Sequence, residues 1–181
     1  MRTTSQTFVR GLLALVLLAG VSGPVRGQEG PPVAAAEDVE SANAIIAAVY
    51  DVISGPAGAE RDWDRMRSLF FPGAQLTPSF ESPDGGYGVQ YMSVEDWIVG
   101  AKAWFSENAF FEVEIHQVAE SYGHIAHAFS TYESRREADG EPFTRGINSF
   151  QLMFDGTRWW IVNIFWQGET ESEPIPGHYL P

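Results

Sequence analysis

Cysteine is absent from this 181-residue sequence. Its absence excludes disulfide bonds, cysteine metal sites and the lipid-modified cysteine of a bacterial lipoprotein, so core packing alone must stabilise the fold. Basic residues are scarce as well, because 11 Lys and Arg stand against 24 Asp and Glu. An acidic surface of this kind repels nucleic acid and anionic lipid, and we expect neither as a partner.

Motifs for several kinds of chemistry are also missing. The sequence contains no phosphate-binding glycine loop, no nucleophile elbow and no internal repeat. Glu112, Glu114 and His116 alternate along one predicted strand, where they could bind a cation. Side chains at this spacing lie about 7 Å apart and no further ligand is fixed nearby, so a solvated strand face is the favoured interpretation. We expect neither a metal nor a cofactor.

The first 27 residues have the pattern of a secretory signal peptide. Arg2 and Arg10 flank a polar start, residues 11–21 are apolar, and small residues stand at positions −3 and −1 before Gln28. The apolar run has about half of the roughly 20 residues that a membrane-spanning helix needs. The sequence therefore predicts cleavage of residues 1–27, a periplasmic or secreted protein, and no membrane association after cleavage.

The remaining chain divides into three predicted segments. Residues 28–38 are rich in Gly, Pro and Ala and are expected to form a flexible lead-in. Residues 39–168 form one domain, which is long enough to bury a single core. Residues 169–181 form an acidic, proline-rich tail that is expected to lie extended over the body of the protein.

Apolar residues recur at helical spacing in the segments 39–54, 62–71 and 94–105. Ser93 caps the third predicted helix, with Asp96 in the position of a capping box. Trp97 and Trp104 lie two turns apart on that helix and can face the same partner. Tyr50 falls on or beside the apolar stripe of the first helix. A short, glycine-interrupted hairpin is predicted over residues 74–92.

Two Asp-Gly pairs, at 139–140 and 155–156, predict hairpins in the second half of the chain. Two-residue turns at these positions set which residues of neighbouring strands lie opposite each other. The predicted pairs are Leu152 with Trp159, Phe150 with Ile161, Asn148 with Asn163, Thr131 with Asn148, Phe129 with Phe150, and His127 with Leu152.

The strand that begins at Phe111 alternates apolar and charged residues. A three-residue turn ending at Gly123 would turn Val113 inward, leave Glu112 and Glu114 outside, and place Gln117 opposite His127. A two-residue turn would instead bury both carboxylates, at a cost of several kcal/mol each unless they are paired. The three-residue turn is therefore favoured.

These registers collect a few polar groups among apolar walls on one face of the sheet, which is typical of a small-molecule pocket. His127 is the member of this set that titrates near neutral pH, so it is the candidate general acid or base. The alternative is a core histidine whose polar atoms are satisfied by Gln117. The candidate catalytic residues are His127, Asn148 and Tyr50, and the candidate ligand-binding residues are Gln117, Phe129, Thr131, Phe150, Trp159, Ile161, Asn163, Trp97 and Trp104.

The opposite face of the sheet is predicted to carry an apolar patch. Its members are Tyr132, Ile147, Trp160, Val162, Ile164 and Trp166. A soluble monomer rarely exposes a patch of this size, and arginines nearby are typical of an interface. A homodimer through this outer face is the preferred explanation, and the alternative is that residues 169–181 cover the patch.

Three helices, a hairpin and a long meander over residues 39–167 resemble the nuclear transport factor 2-like superfamily, in its SnoaL-like bacterial branch. The most specific part is residues 146–152, followed by Trp159-x-Ile161-Val162. The resemblance implies an α+β cone, with a curved antiparallel or mixed sheet wrapped around three helices and an inner cavity. It also implies that dimers through the outer face of the sheet are common.

Membership of such a family does not identify a function, because the family includes isomerases, dehydratases, hydrolases and non-catalytic proteins. The isomerase relatives place an aspartate base and a Tyr–Asp pair in the cavity. Here the predicted inner positions carry no Asp, and Tyr50 alone could match the phenol. Three functions remain open: an exported small-molecule-binding domain, which is favoured; a metal-free isomerase, dehydratase/lyase or hydrolase that uses His127; and a dimerising interaction module.

Overall fold

The computed structural model describes residues 30–83 and 85–181. The predicted signal peptide at residues 1–27 lies outside the described residues. The helices are α1 (Ala36–Val39), α2 (Ala42–Ile53), α3 (Trp63–Leu69) and α4 (Val94–Phe105), with a short 3-10 helix at Gly177–Tyr179. The strands are β1 (Phe70–Glu81), β2 (Tyr87–Val89), β3 (Met92–Ser93), β4 (Phe111–Tyr122), β5 (Ile125–Arg135), β6 (Pro142–Phe154) and β7 (Trp159–Gly168).

The seven strands form one open, mixed sheet. Its order is β2-β1-β7-β6-β5-β4, and β3 pairs with β1 outside that path. Strand β1 runs parallel to β7, whereas the other pairs are antiparallel. The α+β class and the mixed sheet agree with the sequence prediction. None of the helices in the described part of the chain is long and apolar enough to cross a membrane.

Side chains at the helix ends explain where the helices begin and stop. The hydroxyl of Ser41 accepts a hydrogen bond from the Ala44 amide at the start of α2. Ser93 and Asp96 form the predicted capping box of α4. Past the end of α2 the buried Arg61 guanidinium donates to four carbonyl groups, one at the last residue of the helix and three in the loop that follows. The four carbonyls belong to Ile53, Gly55, Pro56 and Ala59.

The core lies between the helices and one face of the sheet, which we call the inner face. Ile45 of α2, Leu69 of α3, Phe150 of β6 and Ile161 of β7 are completely buried there. Fully burying one such side chain contributes roughly 1.5–3 kcal/mol. The inward position of Phe150 and Ile161 agrees with the sequence prediction, although the residues opposite them differ.

The hairpin between β6 and β7 has a four-residue turn, with Phe154 opposite Trp159. A register shift beyond Leu152 then pairs Phe150 with Ile164 and Asn148 with Trp166. The predicted pairing of Asn148 with Asn163 is wrong, because the turn is two residues longer than predicted and this bulge inserts one further residue into β7. Beyond the bulge the two faces of β7 exchange. Ile164 and Trp166 therefore point inward, where Asn163 was expected.

The pairing of β5 with β6 differs from the prediction by one residue. The connection spans residues 136–141, and Asn148 lies opposite Ser130 rather than Thr131. A one-residue shift moves every side chain of a strand to the other face. His127, Phe129 and Thr131 therefore lie on the outer face, and their predicted inward position is wrong. The inward residues of β5 are Ala126, Ala128, Ser130, Tyr132 and Ser134.

The predicted three-residue turn between β4 and β5 is also wrong. The turn has two residues, Gly123 and His124, and Gly123 adopts a φ of 59°. A second bulge interrupts β4 between Glu114 and His116, so Glu112 and Glu114 point inward on the same face as Gln117. The predicted pairing of Gln117 with His127 is wrong, since these residues lie opposite Ser130 and Glu120 respectively.

The C-terminal tail crosses the outer face of the sheet. The Thr131 hydroxyl donates to the Tyr179 carbonyl at 2.7 Å, and the rings of Phe129 and Tyr179 lie 5.4 Å apart. An ion pair between Arg145 and Glu169 holds the start of the tail.

Tyr132, Ile164 and Trp166 do not belong to the outer patch, because the register changes turn them inward. The homodimer stays a prediction.

Removing residues 169–181 is expected to make the protein self-associate. The truncation uncovers Phe129, Ile147 and Phe165, which line the space under the tail, and contiguous apolar surface of this kind favours association. Sedimentation velocity of the full-length mature protein and the truncated protein measures the difference. Tyr179→Ala, which removes the ring that packs on Phe129 and keeps the rest of the tail, is the matched control. A truncated protein that remains monomeric contradicts the covering role, and a full-length dimer supports the homodimer instead.

Candidate active site

A cavity of about 310 Å³ lies between the helices and the inner face of the sheet. Three residues with polar side chains, Glu112, Tyr132 and Asn148, line it together with an apolar wall. The remaining lining residues are Val49, Ile53, Met66, Leu76, Trp97, Gly100, Ala101, Trp104, Phe105, Phe110, Phe150, Ile164 and Trp166. An apolar wall with a few convergent polar groups is typical of a small-molecule site.

Glu112 supplies a titratable group to this cavity. The residue is half-buried, and its carboxyl is largely shielded from solvent. It accepts hydrogen bonds from the Ser134 hydroxyl at 2.8 Å and from the Asn148 amide at 3.4 Å. Burial raises the pKa of Glu112 to about 7, and these two hydrogen bonds partly oppose the increase. Among residues 30–83 and 85–181 no cationic side chain forms an ion pair with it.

A chain of hydrogen bonds continues from the cavity wall into the sheet. The Asn148 amide also donates to the Tyr50 hydroxyl at 3.1 Å, and that hydroxyl lies 2.6 Å from the Ser130 hydroxyl. Ser130 in turn donates to Glu114, which also accepts from the Gln117 amide at 3.0 Å. Burial raises the pKa of Tyr50 well above its ordinary value, so the phenol stays protonated at neutral pH.

Tyr132 presents a second phenol, directly on the cavity wall. Its ring lies against Gly146 on the neighbouring strand, where a Cβ would come within 2.5 Å of the hydroxyl. Burial, and secondarily the charge of Glu112, raise the pKa of Tyr132, so it remains a neutral hydrogen-bond donor. Within the described part of the chain its hydroxyl has no hydrogen-bond partner and is not enclosed. It is therefore available to a ligand.

The structure is similar to several solved structures of low sequence identity. A protein of unknown function with a cystatin-like fold from Nostoc punctiforme matches with a TM-score of 0.54 at 11% identity, over 70% of this chain and 87% of that chain. An uncharacterised protein with a cystatin-like fold from Caulobacter vibrioides matches with a TM-score of 0.51 at 10% identity, over 74% and 90%. A nuclear transport factor 2-like protein of unknown function from Silicibacter pomeroyi matches with a TM-score of 0.49 at 15% identity, over 70% and 92%.

The chain has the cystatin-like fold of the Nostoc and Caulobacter proteins. No family model matches the sequence, and no curated protein matches it significantly. At these identities the similarity concerns the fold alone. The α+β fold is the one that the sequence resemblance predicted. The residues of the cavity must therefore be judged from their own geometry.

Of the predicted catalytic residues, Asn148 lines the cavity and Tyr50 lies directly behind it. His127 does not reach the cavity. It lies on the outer face with its side chain 47% exposed, and its Nε2 lies 3.5 Å from a Glu120 carboxylate oxygen. The one-residue register shift of β5 accounts for this difference.

The predicted ligand-binding residues divide in the same way. Trp97, Trp104 and Phe150 line the cavity, as expected. Ile161 lies in the core and Trp159 packs against the core, but neither lines the cavity. The remaining four lie elsewhere: Gln117 donates to Glu114, Phe129 and Thr131 lie beneath the tail, and Asn163 accepts from Thr77 on the outer face.

The sequence patterns did not reveal Glu112 and Tyr132 as cavity residues, nor the hydrogen bonds from Ser134 to Glu112 and from Ser130 to Glu114. The cost of burying an unpaired carboxylate favoured an outward position for both glutamates. In the structure both point inward, Glu114 remains exposed, and each is paired with a serine on β5. Two serines flanking Tyr132 at alternate positions were the available signal, since that spacing places all three side chains on one face.

The raised pKa of Glu112 predicts a specific dependence of stability on pH. A carboxyl whose pKa is raised by folding favours the folded state most below its unfolded pKa, near 4.5, and that contribution is lost as pH rises to about 7. Relative to Glu112→Gln, the wild-type free energy of unfolding should fall by about 3 kcal/mol over this interval.

Chemical denaturation at a series of pH values measures this difference. Glu107→Gln, at an exposed position after α4, should show no comparable change with pH. A constant difference between wild type and Glu112→Gln would contradict the burial of the carboxyl.

Proposed function

We propose that this protein binds a small, uncharged and largely apolar carbonyl compound in its cavity and catalyses proton transfer on it. Glu112 is the general base and acid. The observation that carries the proposal is a hydrogen-bonded carboxyl with a pKa of about 7 on the wall of a 310 Å³ apolar cavity. A carboxyl with such a pKa exchanges protons readily at neutral pH.

The apolar wall supports an uncharged ligand. Trp97, Trp104 and Phe150 supply large aromatic surfaces, and burying a ligand against them provides binding energy without charge. A charged ligand would require a counter-ion. In the described part of the chain the cavity wall contains no basic side chain, and its one ionisable carboxyl would repel an anion.

The proposed step is removal of a proton from the carbon next to the ligand carbonyl. The Glu112 carboxylate takes the proton, so a C–H bond breaks and an O–H bond forms on the carboxyl. The electron pair moves onto the carbonyl oxygen, where the neutral phenol of Tyr132 donates a hydrogen bond. Glu112 then returns the proton to the same or another carbon, which gives exchange or isomerisation. No metal or cofactor takes part in this step.

Proton–deuterium exchange next to the carbonyl of small aryl ketones tests this chemistry. The mature protein should accelerate exchange of propiophenone in D₂O, followed by NMR, and the rate should rise with pH through about 7 and then level off because the base is the carboxylate. Glu112→Gln is expected to reduce the protein-dependent rate by roughly 10²–10⁴.

Two variants make this test selective. Glu107→Gln removes an exposed carboxyl outside the cavity and should leave the rate unchanged. His127→Ala should also leave it unchanged, and a loss of exchange in this variant would return the role of base to His127, as the sequence analysis expected. A wild-type protein that binds ketones without accelerating exchange would instead be a binding domain without chemistry.

We also propose that the protein acts after export, as the signal-peptide pattern of residues 1–27 suggests. Support for this proposal comes from the sequence alone. N-terminal sequencing of protein recovered from the periplasm or the medium should begin at Gln28, and an intact N-terminus in the cytoplasm would contradict export.

A further inference from the structure

The hydrogen bonds between Glu114 and Asn148 run in one direction. The Ser130 hydroxyl donates to a Glu114 carboxyl oxygen, and this bond uses the single proton of the hydroxyl. Ser130 can then only accept from Tyr50, whose hydroxyl lies 2.6 Å away.

This direction determines how the Asn148 amide is turned. Because the Tyr50 proton points to Ser130, the Tyr50 oxygen must accept a hydrogen bond from Asn148, and only the nitrogen of an amide side chain can donate one. The observed contact is Nδ2 to the Tyr50 oxygen at 3.1 Å. The same nitrogen also points to Glu112 at 3.4 Å, so both of its N–H groups have partners.

The carbonyl oxygen of Asn148 takes no part in this chain of hydrogen bonds. Asn148 lines the cavity and is 8% exposed. Among residues 30–83 and 85–181 its Oδ1 has no hydrogen-bond partner, and it is not enclosed by protein. The cavity thus offers an acceptor at Asn148 beside the donor at Tyr132.

We propose that Glu114, acting through Ser130 and Tyr50, holds the Asn148 oxygen toward the cavity, and that the ligand is a carbonyl compound that also carries a hydroxyl group. The ligand carbonyl accepts from Tyr132, and the ligand hydroxyl donates to Asn148. This deepens and rests on the proposed function, since it names the substrate class of the same cavity. Glu114 is a positioning residue, because it does not line the cavity.

Two probes of the same size class test the acceptor. Phenacyl alcohol has both a carbonyl and a hydroxyl, whereas its methyl ether cannot donate a hydrogen bond. One hydrogen bond contributes about 1 kcal/mol net, so wild type should bind the alcohol about fivefold more tightly than the ether. Titration at pH 6, followed by quenching of tryptophan fluorescence from the cavity wall, measures both dissociation constants.

Two variants interrupt this chain of hydrogen bonds. Ser130→Ala leaves the Tyr50 proton without its acceptor, so Tyr50 turns to Asn148 Oδ1 and the amide reverses. Glu114→Leu removes the acceptor of the Ser130 proton, so the hydrogen bonds between Ser130, Tyr50 and Asn148 no longer have a fixed direction. Either variant should reduce the preference for the alcohol to about twofold or less, and the double variant should reduce it no further because both act through one chain. Ser149→Ala, on the opposite face beside Asn148, should keep the preference.

NMR gives a readout that needs no ligand. In wild type the side-chain amide protons of Asn148 should show cross-peaks to the Tyr50 ring, and Ser130→Ala should lose them. Absence of these cross-peaks in wild type, or an unchanged preference in Ser130→Ala, overturns the inference. A preference for the alcohol without any proton exchange would retain the inference while removing the proposed catalysis. If neither probe binds wild type, the proposed ligand class fails for the cavity.

Discussion

The bulge in β4 between Glu114 and His116 is the constraint on which the candidate site depends. One extra residue exchanges the two faces of the strand, so two glutamates rather than two aliphatic residues point toward the helices. Without the bulge, Val113 would face the helices and the cavity would lose its carboxyl group, keeping only Tyr132 and Asn148 as polar members. The titratable group of the site is therefore a consequence of backbone geometry.

Burial of Glu112 is tolerated because neighbouring strands supply hydrogen-bond donors. Ser134 comes from β5 and Asn148 from β6, and both donate to its carboxyl. The shift of its pKa to about 7 shows that these two bonds offset desolvation only in part. A structural carboxyl would be expected to have a cationic partner. The incomplete compensation found here leaves a group that changes its protonation state near neutral pH.

The two faces of the sheet have different roles in this fold. The inner face combines a rigid aromatic wall with polar groups whose positions are set by cross-strand pairs. The outer face carries the C-terminal tail, whose contacts through Thr131 and Phe129 cover apolar surface. Residues that the sequence analysis assigned to ligand binding thus stabilise the tail instead.

Much of the fold follows from the sequence, because local patterns carry that information. Helical spacing, the capping box at Ser93 and the turn residues predict the order of elements, and the inward faces of α4 and β6 place Trp97, Trp104 and Asn148 correctly. Strand β5 is different, since Ala126, Ala128 and Tyr132 alternate with Ile125, His127 and Phe129, and neither face is clearly the more apolar. Its orientation depends on a register that only pairing with β4 and β6 decides. The sequence by itself determined the elements and their class, whereas tertiary structure alone decided the bulges, and a shift of one residue moves a whole strand of side chains from solvent to cavity.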